Sequence, residues 1–352
     1  MVTCFYRRLS HAVAIACAAG FALAAEPATA EVTYKVLSFD DLEGWAEDDH
    51  SAALTVFQNT CRDMDDPDWT ALCAYATVQP DARAFFELLF RPVLIEDGNK
   101  ALFTGYFEPE LSGSRQKTSR YRYPVYAMPP EARRIRPWLT RRDILSTGVM
   151  NGRGLEIAWV DDPVELFFLQ IQGSGRIRLP NGNFIRVGYS GANGHLYRSL
   201  WAELVRRKIY EPHQVSAQVI KNWVRRNPID GRELLFHSPS YVFFRNVDQV
   251  PADRGPLGAM NRSITQMRSV AVDPKFVKLG SPVWLEKDGK NPIRRLMTAQ
   301  DTGSAIKGAQ RADVFVGTGD EAGRVAGRLR DPGRMMVLMP IQRAYALLPE
   351  DT

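Results

Sequence analysis

Five short apolar runs crowd the stretch from Arg268 to Met339: Ser269–Val272, Pro282–Leu285 and Arg295–Thr298 lead up to Asp301, and Ala312–Val316 and Met335–Met339 follow it. Runs of this length, rich in Val, Leu and Met and bounded by Gly, Pro and Asp, read as strands rather than helices. The stretch is therefore committed to a sheet, with Asp301 at a strand end. At its centre lies Ala299-Gln-Asp-Thr-Gly-Ser-Ala-Ile-Lys-Gly308. Gly303 and Gly308 let the loop fold back closely, so a carboxylate held there is aimed into a groove. An Asx-turn, in which Asp301 only caps its own loop, competes with that reading. Three letters alone are too short a motif to choose.

A chain of 352 residues, 45% of them hydrophobic, has material for two ordinary cores. The first thirty residues read as an export signal: Arg7-Arg8, an apolar run from Ala12 to Ala25, then Ala28-Thr-Ala30 as the cleavage site. That run is too short and too alanine-rich for a membrane span. Cys17 sits early in it and lacks the leucine of a lipidation box, which argues against an acyl anchor. Removing Arg7, Arg8 and Glu26 takes the net charge from +5 to +4. A mildly basic chain suits an anionic polymer such as a cell wall, and no Lys/Arg run with interleaved aromatics supports nucleic acid. Only Cys61 and Cys73 remain after the signal, and two cysteines in an exported chain suggest a disulfide. Buried free thiols are the alternative. The scattered histidines 11, 50, 195, 213 and 237 have no metal-ligand spacing, so no metal or cofactor is expected.

In chain order, Glu31–Phe90 reads as helical, with Ala53, Leu54, Phe57 and Cys61 on one face and Pro67 and Pro80 near helix starts. Short strands follow at Ala101–Phe107 and Tyr123–Ala127, with Ser112–Arg122 read as a surface loop. Asp162-Pro-Val-Glu165 opens a helix that Gly173 ends, and Pro180-Asn-Gly182 turns a hairpin. Two helices are expected between Leu196 and Asn227, a break from Pro228 to Pro239, and a helix over Asp320–Leu329.

Arg311-Ala-Asp-Val-Phe-Val-Gly-Thr-Gly319, Glu321-Ala-Gly323 and the closing Arg334-Met-Met-Val-Leu338 complete a block around Asp301 that resembles the three-aspartate domain of the membrane-bound lytic transglycosylase A family. Gly105-Tyr-Phe-Glu-Pro109, Gln170-Ile-Gln-Gly-Ser-Gly175, Tyr189-Ser-Gly191 and Asn193-Gly-His195 resemble the same family's middle region. The resemblance covers about Leu102 to Pro340. It implies a mostly β fold with peripheral helices: a double-psi β-barrel from residues 31–104 and 239–345, a second β-domain inserted at 105–238, and a glycan groove between them. Together with the export signal it points to a periplasmic monomer, at or near the outer membrane, that acts on peptidoglycan strands beside other cell-wall enzymes.

Cleaving a glycosidic bond usually takes two carboxylates. A lytic transglycosylase manages with one, because the nucleophile is the muramic O6 hydroxyl already beside the anomeric carbon. By resemblance Asp301 is that acid and base, and such a role needs a carboxyl of raised pKa. Asp273 and Asp313 accompany it, each read first as structural, and Tyr106, Glu108, Gln172, Ser174, Gly175, Lys307 and Asp313 are the substrate-contacting candidates, with packing, turn formation or, for Lys307, solvent as the competing reading. A Lys307 ammonium close to Asp301 would oppose acid function. Two rivals stand. An aspartic protease shares Asp301-Thr-Gly-Ser304, but the chain holds no second copy of the motif. A non-catalytic carbohydrate-binding barrel would keep the groove and drop the acid.

Overall fold

The computed structural model describes residues 31–79, 81–251 and 253–347; the expected signal segment and Pro80 lie outside them. The strands of the first half are β1 (Thr33–Val36), β2 (Phe90–Glu96), β3 (Leu102–Glu108), β4 (Glu110–Ser114), β5 (Tyr123–Tyr126), β6 (Glu156–Val160), β7 (Gly175–Arg178) and β8 (Phe184–Ala192). Those of the second are β9 (Val242–Asn246), β10 (Ser269–Val272), β11 (Pro282–Lys287), β12 (Ile293–Asp301), β13 (Arg311–Thr318), β14 (Arg330–Asp331) and β15 (Gly333–Pro340). They form two sheets, a nine-stranded one in the order β1-β2-β15-β11-β12-β10-β13-β3-β14 and a six-stranded one in the order β5-β6-β4-β7-β8-β9.

The apolar runs of the second half are explained by burial on both faces of the larger sheet. Along β11, Val283 and Leu285 enter one core with Val270, Val314 and Val337, while Trp284 enters another with Phe57, Phe85, Phe86 and Phe90. Side chains alternate across a strand, so a strand covered on both sides reads as a continuous apolar run. The aromatic core comes from the helices His50–Cys61, Pro67–Ala76 and Ala82–Leu89. In the smaller sheet Ile177, Ile185 and Val187 pack against Leu166 and Leu169 of the helix Pro163–Gln172. That helix starts as expected, with Asp162 accepting from the Val164 and Glu165 N–H groups and Gly173 closing it at φ 78°.

Cys61 and Cys73 are bonded, with Cα atoms 5.5 Å apart, tying the first two helices together. Closing a loop of this length stabilises by about 3 kcal/mol through the unfolded chain. The double variant Cys61→Ser/Cys73→Ser is expected to lose about that much in denaturant unfolding, and unfolded, unreduced protein without residues 1–30 to show no free thiol.

The structure departs from expectation in several places. Residues 31–90 are not all helix, because β1 pairs antiparallel with β2 from Thr33↔Glu96 to Val36↔Val93, a long-range pairing that the largely exposed β1 does not advertise locally. Pro228 does not break the chain. It takes the first position of the helix Pro228–His237, where a missing N–H costs nothing. The insertion limits of 105 and 238 cut across elements: β3 stays in the larger sheet up to Glu108, the chain crosses at Pro109 into β4, and β9 still belongs to the smaller sheet. Finally, the larger sheet's hydrogen-bonded order is open, running from β1 to β14 rather than closing into a ring.

Candidate active site

Three alternate residues of β3 face one way, Thr104, Tyr106 and Glu108, and each reaches a different charged group. Beside β3 runs β13 in parallel, with Asp313 opposite Thr104, Phe315 opposite Tyr106 and, past a bulge, Thr318 opposite Glu108. On the other side of β13, antiparallel β10 pairs in turn with the end of β12, where Ala271 faces Asp301. Four neighbouring strands thus bring residues far apart in the chain onto one surface.

Asp301 is half-buried at the end of β12. Its Oδ2 accepts from the Tyr106 hydroxyl at 2.9 Å, and its Oδ1 accepts from the N–H groups of Ala259 at 3.0 Å and Thr302 at 2.9 Å. A carboxyl group offers about four lone-pair positions. Oδ1 uses both of its own and Oδ2 one, so a proton on Asp301 sits on the remaining position of Oδ2. The packed surroundings push its pKa up to about 6, since burial penalises the charged form; the three donors pull the other way, and the nearby Asp313 charge adds to the rise. Burial and the Asp301 charge hold the Tyr106 phenol well above its ordinary value, which keeps it a donor.

Asp313 accepts from the Thr104 hydroxyl at 2.7 Å, and that hydroxyl in turn accepts from Arg311 at 2.8 Å. Burial raises its pKa too, against the pull of Thr104 and Arg311. Asp273 lies in the turn after β10, where it accepts from the N–H groups of Lys275 and Gly308. Gly308 adopts φ 118°, a region that other residues rarely enter, so this closure of the Asp301 loop requires glycine. Lys307 stands 3.7 Å from Asp273 and is largely exposed, so its charge is directed to Asp273.

The remaining sequence candidates divide. Gln172 accepts from the Phe107 N–H at 3.2 Å and keeps partial exposure beside the site. Glu108, expected to contact substrate, is fully buried between Arg176, Arg186 and Thr318, out of reach of a ligand; burial of a carboxylate on this scale requires such partners. Ser174 is buried. At Gly175 a Cβ would come within 2.4 Å of Leu169 Cδ1 and 2.9 Å of the Pro109 carbonyl, so its place is in the packing between β7 and the sheet crossing. The sequence does not single out Ala259, Thr104 or Arg311. Ala259 acts through its backbone, which leaves no trace in side-chain chemistry.

Two family models match the chain: the MltA specific insert domain over residues 102–245 and the 3D domain over residues 268–339. The chain is 32% identical over 271 residues to the membrane-bound lytic murein transglycosylase A of Vibrio cholerae, covering 72% of this chain and 70% of that one. It superposes on the membrane-bound lytic murein transglycosylase of Agrobacterium tumefaciens with a TM-score of 0.80 at 30% identity, over 90% of this chain and all of that one. It also superposes on Escherichia coli MltA with bound chitohexaose, with a TM-score of 0.70 at 25% identity, over 87% and 94% of the two chains. With the insert and the three-aspartate block in this order on one matching fold, the chain belongs to the membrane-bound lytic murein transglycosylase A family of peptidoglycan-cleaving enzymes.

Proposed function

We propose that the enzyme cleaves the MurNAc–GlcNAc β-1,4 bond without adding water, using Asp301 alone as acid and then base, and releases 1,6-anhydro-MurNAc ends. The observation that carries this is the protonation chemistry of Asp301: a carboxyl raised to about 6 that keeps one open position, on Oδ2. From Oδ2 the proton passes to the glycosidic oxygen as the C1–O4 bond breaks. The resulting carboxylate then takes the proton of the muramic O6 hydroxyl as O6 bonds to C1, so Asp301 ends protonated, ready for the next turn. Tyr106 and the N–H groups of Ala259 and Thr302 stabilise the carboxylate formed between the two steps. The bound chitohexaose of the E. coli relative supports a β-1,4-linked glycan as ligand here. The envelope setting follows from relatives called membrane-bound, and periplasmic action is part of the proposal.

Digestion of purified cell wall followed by mass spectrometry tests the reading. Anhydro-muropeptides are expected, whereas water-added sugar ends, cut peptides or an untouched wall would each reject it. The pH profile provides a second test. The acid form of Asp301 is full below its pKa and drains away above it, so turnover is expected to fall as pH rises through about 6.

A further inference from the structure

The group that holds Asp301 in place from the solvent side is a loop, and that loop is tied to the smaller sheet. Ala259, whose N–H meets Asp301 Oδ1, lies between Gly258 and Arg262, themselves joined by the Gly258 N–H donating to the Arg262 carbonyl at 2.9 Å. Upstream, the loop's carbonyls are gripped by two arginines. Arg186 of β8 donates to Pro251 O at 2.9 Å and Arg254 O at 2.7 Å, and Arg176 of β7 donates to Arg254 O at 3.2 Å. Both arginines converge on Glu108 at the end of β3: Arg176 Nε donates to Oε2 at 2.9 Å, Arg186 Nη2 to the same oxygen at 3.2 Å, and Arg186 Nε stands 3.0 Å from Oε1. Thr318 of β13 adds a hydroxyl bond at 2.9 Å. Glu108 is 0% exposed.

We infer that Glu108, with Arg176 and Arg186, is a positioning cluster for catalysis: it orients the two guanidinium groups that seat the Ala259 loop, and so fixes one of the three donors on the catalytic carboxyl. Glu108 touches neither substrate nor Asp301. Two features separate this from ordinary core pairing. The arginines direct their other donors to carbonyls of the one loop that returns to Asp301, and β3 delivers Tyr106 to Asp301 two residues before Glu108. The acid is therefore held from two directions by one strand. The loop itself is seated without slack, since a Cβ at Gly258 would lie 2.6 Å from the Gln300 carbonyl, next to Asp301.

The consequence is a pH signature. The groups facing Asp301 are Tyr106 on β3, Asp313 on β13 and the backbone N–H groups of Ala259 and Thr302, while Lys307 is turned to Asp273. Of these, loosening the loop removes the Ala259 donor, which favours the carboxylate. The alkaline limb of the activity profile then moves to higher pH.

The variant to make is Arg176→Gln. It leaves Glu108 neutralised by Arg186, so the buried charge stays paired and the fold is retained. The limb is expected to rise by about half a pH unit, with faster hydrogen exchange at the Ala259 amide. A folded Arg176→Gln whose limb and Ala259 exchange match wild type overturns the inference, because a purely structural role changes only the amount of folded enzyme. Should Arg176→Gln fail to fold, Thr318→Val removes one uncharged donor from Glu108 and is measured in the same two ways; a raised limb with faster Ala259 exchange supports the inference, and wild-type values for both overturn it. The inference rests on Asp301 as the acid. An active Asp301→Asn defeats that reading, whereas an inactive Asp301→Asn beside an unshifted Arg176→Gln defeats only the positioning role.

Discussion

Asp301→Asn is expected to lower turnover by about 10²–10⁴-fold while leaving the fold and glycan binding in place. The substitution fits the site. The amide oxygen accepts from Ala259 and Thr302 as Oδ1 does now, and the amide N–H₂ donates to a Tyr106 hydroxyl rotated to accept. What disappears is the transferable proton. Stability changes the other way. A carboxyl whose folded pKa lies above its unfolded value of 3.8 makes the unfolded chain ionise first, so the wild type loses stability as pH rises from about 3.8 to about 6 and carries the full penalty above that. Asp301→Asn lacks this term and should melt higher than wild type at pH 7, and equally at pH 3. Asp313→Asn removes a neighbouring charge that raises the Asp301 pKa, so its alkaline limb should move down while turnover below that limb persists. A folded Asp301→Asn releasing anhydro-muropeptides at near wild-type rate would defeat the single-acid reading, and a folded, inactive Asp313→Asn would call for two carboxylates.

The strands around Asp301 were legible because both faces of their sheet are buried: β10, β11, β13 and β15 each announce themselves as apolar runs punctuated by Gly and Pro. The hairpin of β7 and β8 was written in its turn, Pro180-Asn-Gly182. Elements whose strand character comes only from a distant partner were not legible. Glu110-Leu-Ser-Gly-Ser114 forms β4 because β7 lies beside it in parallel and β6 opposite, and nothing local marks Ser112–Ser114 as other than loop. At the site, the family resemblance singled out Asp301 and Tyr106, and the structure brings the two into contact. The role of Glu108 was unreadable for the same reason as β4. A lone carboxylate in a sequence looks equally suited to a sugar hydroxyl or to a buried arginine, and here its two arginines are 68 and 78 residues away.

Asp48→Ala is expected to be the most destabilising single change on the opposite side of the same strands. Arg268, 8% exposed, enters β10 and donates through both terminal nitrogens to Asp48, at 2.7 and 3.0 Å. The same carboxylate accepts from the Leu296 N–H of β12 at 2.9 Å, while Arg268 also donates to the Leu296 carbonyl. One buried ion pair thus pins the segment before the first helix to β12, which ends at Asp301, and to the start of its parallel neighbour β10. Truncating Asp48 leaves a guanidinium without its counter-ion in a site closed to water, together with an unpartnered backbone N–H. Removing one member of such a pair costs about 3–5 kcal/mol, more than the pair itself contributes. Chemical denaturation should show a loss in that range. Arg268→Met with Asp48→Leu, which removes both charges, should recover the part of the loss due to the uncompensated guanidinium, but not the part due to the Leu296 N–H. If Asp48→Ala costs less than about 1 kcal/mol, the pair is solvated in solution and the strands are held by their apolar faces alone.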